Sequence, residues 1–580
     1  MYRAAISGEK SGILSDIQAF DVIIVGSGAA GGMAAHELCA AGARVLMLEA
    51  GRDYDPGTET PMFNTPQDAP LRAASTPDKP QGFYDATVDG GSQIAGEPYS
   101  QADPPNPDKS NQFSWWRPRM LGGRTNHWGR VALRFGPYDF KPKTRDGLGF
   151  DWPIEYADLA PWYDKAERLI GVTGLPHGIE NAPDSPPGVQ LPPPSPRAFE
   201  IVLGRAFDHL GMKVAAIRAA VLTRPLNGRA ACLYSTQCTR GCASRSNFQS
   251  TTVLIPPAHA TGNLTVVCNA MVSRVDVDAT GRATGVTYND RVTGSEFSVT
   301  GRVVVLAAGT CSSVRILLNS RSAASPNGIG NGHGLVGKYL MDSVEFSRSS
   351  QIPMLEKLPV LNDDGIFTPH IYVPWWLLPE QAAGQLGFPR GYHIEPRGGR
   401  RMPTTGIGSL IDDGSATYGD ALRAEVRRKY GTAVTLIGEG EMIPNEDSFC
   451  ELDPTVKDKW GVPALRFHWK WGDPEVRQVT HMHDTFNKVF TLLGGAPDNS
   501  PVAMPQGGGA VHEVGGARMG TSPQNSVLDA NNQCWDVRNL FVVDGAAFAS
   551  SPDKNPTLTI LALAARSSAR ILELLRSGGT

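Results

Sequence analysis

Residues 21–50, DVIIVGSGAAGGMAAHELCAAGARVLMLEA, decide how this chain begins to fold. Asp21 to Val25 is a short apolar run and reads as a buried strand, Ala29 to Ala41 as a helix of small residues, and Arg44 to Leu48 as a second strand. Between the first strand and the helix, Gly26, Gly28 and Gly31 form G-x-G-x-x-G, and Glu49 closes the second strand. The first glycine permits a tight turn, the second lets backbone approach a pyrophosphate, and the third lets helix and strand pack closely. A carboxylate at Glu49 can accept from ribose hydroxyls, and the helix N-terminus favours the phosphates. Strand, helix and acid in register predict an adenine dinucleotide; the pattern by itself leaves FAD and NAD open.

The rest of the composition is that of a folded, loop-rich protein. Its 580 residues exceed one ordinary core, so two domains or one elaborated domain are expected. Apolar residues make up 41% and charged residues 19%, with 64 glycines and 45 prolines marking many turns. The net charge is -4 and no basic block occurs, which argues against nucleic acid and for a small-molecule substrate. The first twenty residues hold no apolar run of signal-peptide length, and no stretch approaches the ~20 apolar residues of a membrane span. No direct membrane span is therefore expected, and the location is either cytoplasmic or periplasmic by co-export with a partner subunit that carries the signal.

Further along, NLTVVCNAMVSRVDVD, GRATGVTY and GRVVVLAAGTCSSVRILLNS read as strands returning to the first sheet, the last ending at Gly309 before a helix. The stretch from about Gln351 to Pro505 has several short strands and the helix EVRQVTHMHDTFNKVF, and looks like a separate substrate unit. In it Trp375, Trp376, His370 and His393 are either pocket lining or ordinary core and rim. His481 and His483 read as solvated or structural.

Three of the eight cysteines, Cys232, Cys238 and Cys242, fall within eleven residues, whereas the other five are scattered. No C-x-x-C pair or nearby histidine completes a four-ligand zinc site. One disulfide with a spare thiol, three unrelated loop cysteines, and a three-iron four-sulfur cluster with one thiolate on each iron all match the count.

The chain resembles the glucose-methanol-choline oxidoreductases in IIVGSGAAGG…MLEAG, LGGRTNHWGR, AAGTCSS, HEVGGARMG, LFVVDGAAF and KNPTLTILALAARSSARI, which span nearly its whole length. The resemblance implies an α/β fold: a Rossmann-like FAD-binding domain, discontinuous over 18–150, 251–345 and 505–580, with a second α+β substrate-binding domain over 346–504. Residues 151–250 are then a linker and cap region carrying the cysteines. It also implies FAD rather than NAD, with Glu49 on the adenosine ribose, Gly122, Gly123, Asn126 and Val272 in the flavin site, and Asp544 and Gly545 near the pyrophosphate and ribityl. His512 and Asn555 become the catalytic pair, the imidazole taking the alcohol proton as hydride leaves for the flavin, the amide holding the oxygen. His127, in TNHW, matches the position at which some members bond histidine covalently to FAD, while others leave the flavin noncovalent.

A bacterial subgroup resembling the flavoprotein subunits of glucose, fructose and gluconate dehydrogenases carries cysteines in this region, and some members bind a three-iron cluster there. Here Ser235 and Thr236 stand where another cysteine often lies. The expectation is an FAD-dependent dehydrogenase of a sugar, glycoside or polyol, passing electrons through a 3Fe-4S cluster to a protein acceptor such as a cytochrome, with a small subunit as partner. The alternatives are an oxidase of the same fold releasing hydrogen peroxide, or a non-catalytic flavoprotein subunit.

Overall fold

The fingerprint folds as the strand, turn and helix its pattern requires: β1 (Phe20–Val25), α1 (Ala29–Ala40) and β2 (Val45–Leu48). The computed structural model describes residues 20–579 apart from 61–67, 69, 75, 77–88, 235–237, 239–240, 359–363, 365, 367 and 400–417. The N-terminal segment considered above for a signal, and Ser235 and Thr236, lie outside the described residues. The principal elements that follow are α2 (Tyr156–Ile170), β3 (Leu264–Val267), β4 (Ala270–Val277), β5 (Ala283–Asp290), β6 (Glu296–Leu306) and α3 (Thr310–Asn319). Then come β7 (Val344–Gln351), β8 (Tyr392–Gly398), β9 (Ala433–Gly440), β10 (Phe449–Lys457) and β11 (Pro463–His468). The chain finishes with α4 (Asp473–Leu492), β12 (Leu540–Val542) and α5 (Thr557–Ser577).

The main sheet has seven strands in the order β3-β2-β1-β6-β5-β4, with β12 also on β6. The C-terminal half of β6 is parallel to β1 and β12, with Val305 opposite Ile24 on one side and Phe541 on the other. Its N-terminal half runs out into an antiparallel arm with β5 and β4. Covered strands need apolar residues throughout, which is why β2 is buried at all four positions and why it read as an unbroken apolar run. Helix α5 packs against α1 and α2 to cover one face. The parallel strands all end at the same edge, so Gly26, Ala307 and Asp544 emerge together, where open α/β sheets place their ligands.

A second sheet, β7-β9-β8, is antiparallel and carries α4 on one face. Their shared cluster includes Tyr392, Val434, Leu436, Met482, Phe486 and Val489, each almost fully enclosed. Helix and strand approach so closely at Gly440 that a Cβ there would sit 1.9 Å from Gln478 Oε1. The β10–β11 hairpin turns instead to the main core, where Phe467 stacks on Phe113 at 4.6 Å. Trp375 and Trp376 pack against Tyr392 and His481 in the second cluster, and His481 Nδ1 lies 2.9 Å from the Tyr392 hydroxyl. His370 is buried against Asp364 and the Ser195 carbonyl.

Candidate active site

One cleft, lined by residues of both the fingerprint turn and the second sheet, crosses the protein. Gly26, Gly28, Glu49, Gly123, His127, Val272, Asp544, Gly545, His512 and Asn555 all line it, Val272 on the strand whose Ala270 amide donates to the Glu49 carbonyl at 2.8 Å. The turn is built on glycine: Gly26 has φ +100°, and a Cβ on Gly31 would lie 1.9 Å from the Gly26 carbonyl oxygen. Over Gly28 there is open space, and the nearest approach to a Cβ on Gly123 would be the Gly28 Cα at 3.6 Å, leaving a slot walled by bare backbone. Glu49 accepts from the Ser27 amide at 3.1 Å and the Ser27 hydroxyl at 2.5 Å. The same hydroxyl accepts from the Gly122 amide at 2.8 Å.

Gly31, Gly122 and Asn126 brace this cleft. Asn126 donates to the Leu121 carbonyl at 2.8 Å and accepts from the Thr251 hydroxyl at 3.1 Å, fixing the left-handed turn at Gly122. Asp544 accepts from the Gly309 amide at 3.0 Å and from Ser313 at 2.5 Å, tying the end of β12 to the start of α3. Both ring nitrogens of His127 are buried without a hydrogen-bond partner, and its ring meets Trp116 edge-on at 4.6 Å. Burial, with Arg130 and Arg124 nearby, lowers its pKa to about 3, so the imidazole is neutral. Bare backbone at Gly28 and unpartnered nitrogens at His127 fit a dinucleotide that carries both a pyrophosphate and a polar ring system, as FAD does.

Beside the second sheet, His512 Nδ1 lies 3.0 Å from Ser343 Oγ and 3.3 Å from Glu439 Oε2. Its backbone amide donates to buried Asp342 at 2.9 Å. Burial alone would lower the imidazole pKa, but Glu439, Asp342 and Glu345 hold it up at about 9. Burial, reinforced by Glu513, raises Asp342 to about 7, and burial with Glu439 raises Glu345 to about 8. Asn555 is 8% exposed and its Oδ1 has no donor. His393 donates toward the Asp553 carbonyl and lies 3.3 Å from Glu395, linking β8 to the segment bearing Asn555. Asp342, Ser343, Glu345, Glu395 and Glu439 were not singled out from the sequence.

Cys232, Cys238 and Cys242 line a second, much smaller recess with Arg130 and Thr368. Among the described residues, no three His, Cys, Asp or Glu side chains close on a site for a metal ion. Burial pushes the Cys232 thiol up to about 12, with Cys238 and Cys242 adding to the rise. Arg130 is 1% exposed, donates to the Asn126 and Cys238 carbonyls at 3.2 Å each, and leaves Nη1 without a partner. Its Nε and Nη2 also donate to the Asn247 side-chain oxygen at 3.1 and 3.2 Å, so among the described residues neutral oxygens rather than a carboxylate hold its charge.

Fold and cleft together define an α/β protein with a dinucleotide fingerprint, in which a histidine and an amide line the same cleft as the glycine turn. Residues 20–345 match the N-terminal model of the GMC oxidoreductases and residues 444–564 the C-terminal one; the chain belongs to this family, whose expected cofactor is FAD. It is 30% identical over 94% of its length to 2-methyl-1,2-propanediol dehydrogenase of Mycolicibacterium austroafricanum, covering 94% of that protein. It is 27% identical to the fructose dehydrogenase large subunit of Gluconobacter japonicus, over 96% of this chain and 98% of that one. Paromamine 6'-oxidase of Streptomyces fradiae is also 27% identical, over 95% of this chain and 91% of its own. The formate oxidase of Aspergillus oryzae RIB40 superposes with a TM-score of 0.61 at 15% identity, covering 97% of this chain and 100% of that chain, which speaks to fold alone.

Proposed function

We propose that the protein oxidises an alcohol group of a sugar, glycoside or polyol, with His512 and Asn555 as the catalytic pair. The observation that carries this reading is their placement: an engaged imidazole and an amide oxygen with no donor, lining the cleft that the glycine fingerprint opens. FAD held by Gly26, Gly28, Glu49, Gly123, Asp544 and Gly545 would supply the hydride acceptor. Ser343 and Glu439 engage Nδ1 of His512, so Nε2 is the nitrogen that receives the hydroxyl proton. Asn555 holds the substrate oxygen, and Glu439 carries the charge that stabilises the imidazolium once the proton has moved.

We keep the partition into a discontinuous FAD unit, a linker and cap, and a substrate unit over 346–504 as part of the same proposal. Dehydrogenase action is preferred to oxidase action because Cys232, Cys238 and Cys242 share a recess with the buried cation of Arg130. A 3Fe-4S cluster there would supply one-electron transfer to a protein acceptor, consistent with relatives named as a large subunit and a flavoprotein of dehydrogenases. A small subunit and a cytochrome are the partners this reading implies. The test is anaerobic mixing with an alcohol panel, followed by admission of air. A flavin that bleaches, then reoxidises slowly in air and quickly with cytochrome, is expected; fast reoxidation with peroxide overturns the dehydrogenase half. No bleaching across the panel overturns the catalytic reading.

A further inference from the structure

His512 follows a residue whose backbone its own side chain resists. Val511 has φ +60°, in the left-handed region that a β-branched residue rarely enters, because the branched side chain crowds the backbone there. The other left-handed positions on this stretch are Gly508, Gly515 and Gly516, which adopt the conformation freely. Val511 instead keeps a side chain that lines the cleft together with His512. A residue in such a conformation persists only where its surroundings over-determine it. The amides on either side of it, those of Ala510 and His512, donate to the two oxygens of one buried carboxylate, Asp342, at 3.2 and 2.9 Å. Its own carbonyl accepts from Arg124 Nη1 at 3.1 Å.

Arg124 reaches both neighbours of the imidazole. Its Nη2 donates to Glu513 Oε1 at 2.6 Å and to the Trp116 carbonyl at 2.6 Å, while Nη1 donates to Glu513 Oε2 as well as to Val511. One side chain therefore holds the residue before His512 and the buried residue after it, and it is carried by the turn Gly123–Asn126, next to His127. A planar fork with five donors can serve these partners at once, which a single ammonium cannot. Resting on the alcohol-oxidation reading above, we propose that Arg124 is a positioning residue for His512: it holds Val511 in the left-handed conformation and so sets where the imidazole stands. The resistance of Val511 is what makes the clamp necessary. Glycine takes the same conformation without resistance, so Val511→Gly should remove most of the need for Arg124.

The test is a double-mutant cycle on FAD-loaded protein, read by anaerobic flavin bleaching with D-glucose, D-fructose, methyl β-D-glucoside and glycerol. Arg124→Lys keeps a positive charge beside Glu513 but gives up the Val511 carbonyl. It is expected to slow the limiting bleaching rate by about tenfold or more, with the half-saturating alcohol concentration changed by less than about threefold. Adding Val511→Gly is expected to return most of the lost rate, a rescue that a merely structural role for Arg124 would not allow. An unchanged rate in Arg124→Lys overturns the proposal, as does a double variant no faster than Arg124→Lys alone. Should Arg124→Lys lose FAD, amide exchange of the peptide over 510–514 in the flavin-free proteins decides. Exchange faster by about tenfold or more in Arg124→Lys, and slowed again by Val511→Gly, supports the clamp; equal exchange in all three proteins overturns it. No bleaching by any alcohol in the unmodified protein overturns the alcohol-oxidation reading and this one with it, whereas bleaching that Arg124→Lys leaves intact overturns only this one.

Discussion

At the scale of residues, His512 is governed by opposing influences. Burial favours its neutral form and the carboxylates favour its charged form, and the carboxylates win, placing its pKa at about 9. A base must be deprotonated before it accepts, so kcat/KM for a neutral alcohol should climb with pH and level off only near 9. Glu439→Gln removes a raising charge and should move that limb to lower pH; a limb already near the ordinary histidine value in the unmodified protein contradicts the account. His512→Ala should lower turnover by about two to four orders of magnitude with FAD retained, and near-normal turnover in a flavinated variant removes His512 from the role. His127, neutral because burial lowers its pKa to about 3, is the form of imidazole a bond to the flavin requires. After acid denaturation FAD is expected to remain on a peptide containing His127; release of all FAD settles the matter for noncovalent binding.

At the scale of elements, the cysteine loop and the turn behind it form one unit, because Arg130 bonds to the Asn126 carbonyl on one side and the Cys238 carbonyl on the other. Cys238→Ser should therefore lose iron and sulfide while keeping FAD, since a hydroxyl is a poorer iron ligand than a thiolate. With the proposed cluster bound, Arg130→Gln should lower its midpoint potential, because a nearby positive charge favours the reduced state. Iron-free protein after anaerobic purification from a cluster-competent host would sink both expectations. The βαβ unit was legible in the sequence because most of its chemistry is local: buried parallel strands read as apolar runs, and Gly31 answers to the Gly26 carbonyl five residues before it, whereas Gly26 itself is also closed in by Ala307 from the end of β6. The carboxylates of the second sheet were less legible. HIEPRG places His393, Glu395 and Arg397 on alternate positions, and TLIGEGEM does the same with Glu439 and Glu441. Charged residues at period two ordinarily mark a solvent face, and only the pairing of β7, β9 and β8 reveals that this face turns inward. Arg130 gave no signal either, since the absence of a counter-charge is a property of the folded neighbourhood.

At the scale of the molecule, the segment carrying Asn555 is pinned by residues some four hundred positions earlier. Trp152 donates to Ser550 at 2.7 Å, the Tyr163 hydroxyl lies 2.7 Å from that of Thr559, and buried Lys554 meets Asp139 at 2.9 Å. The Ser27 hydroxyl joins distant parts of the chain in a subtler way, giving its hydrogen to Glu49 while receiving the Gly122 amide. On the proposed reading Glu49 takes the adenosine half of FAD and the Gly122 turn, beside His127, the flavin half, so one side chain joins the two grips. The expected consequence is ordered loading, the nucleotide half binding first and stiffening the seat for the ring. ADP alone, added to flavin-free protein, should slow amide exchange at Leu121 to Gly123, and Ser27→Ala should abolish that slowing even where ADP still binds. Exchange at the turn that ignores ADP would mean that the two halves of the cofactor are gripped independently.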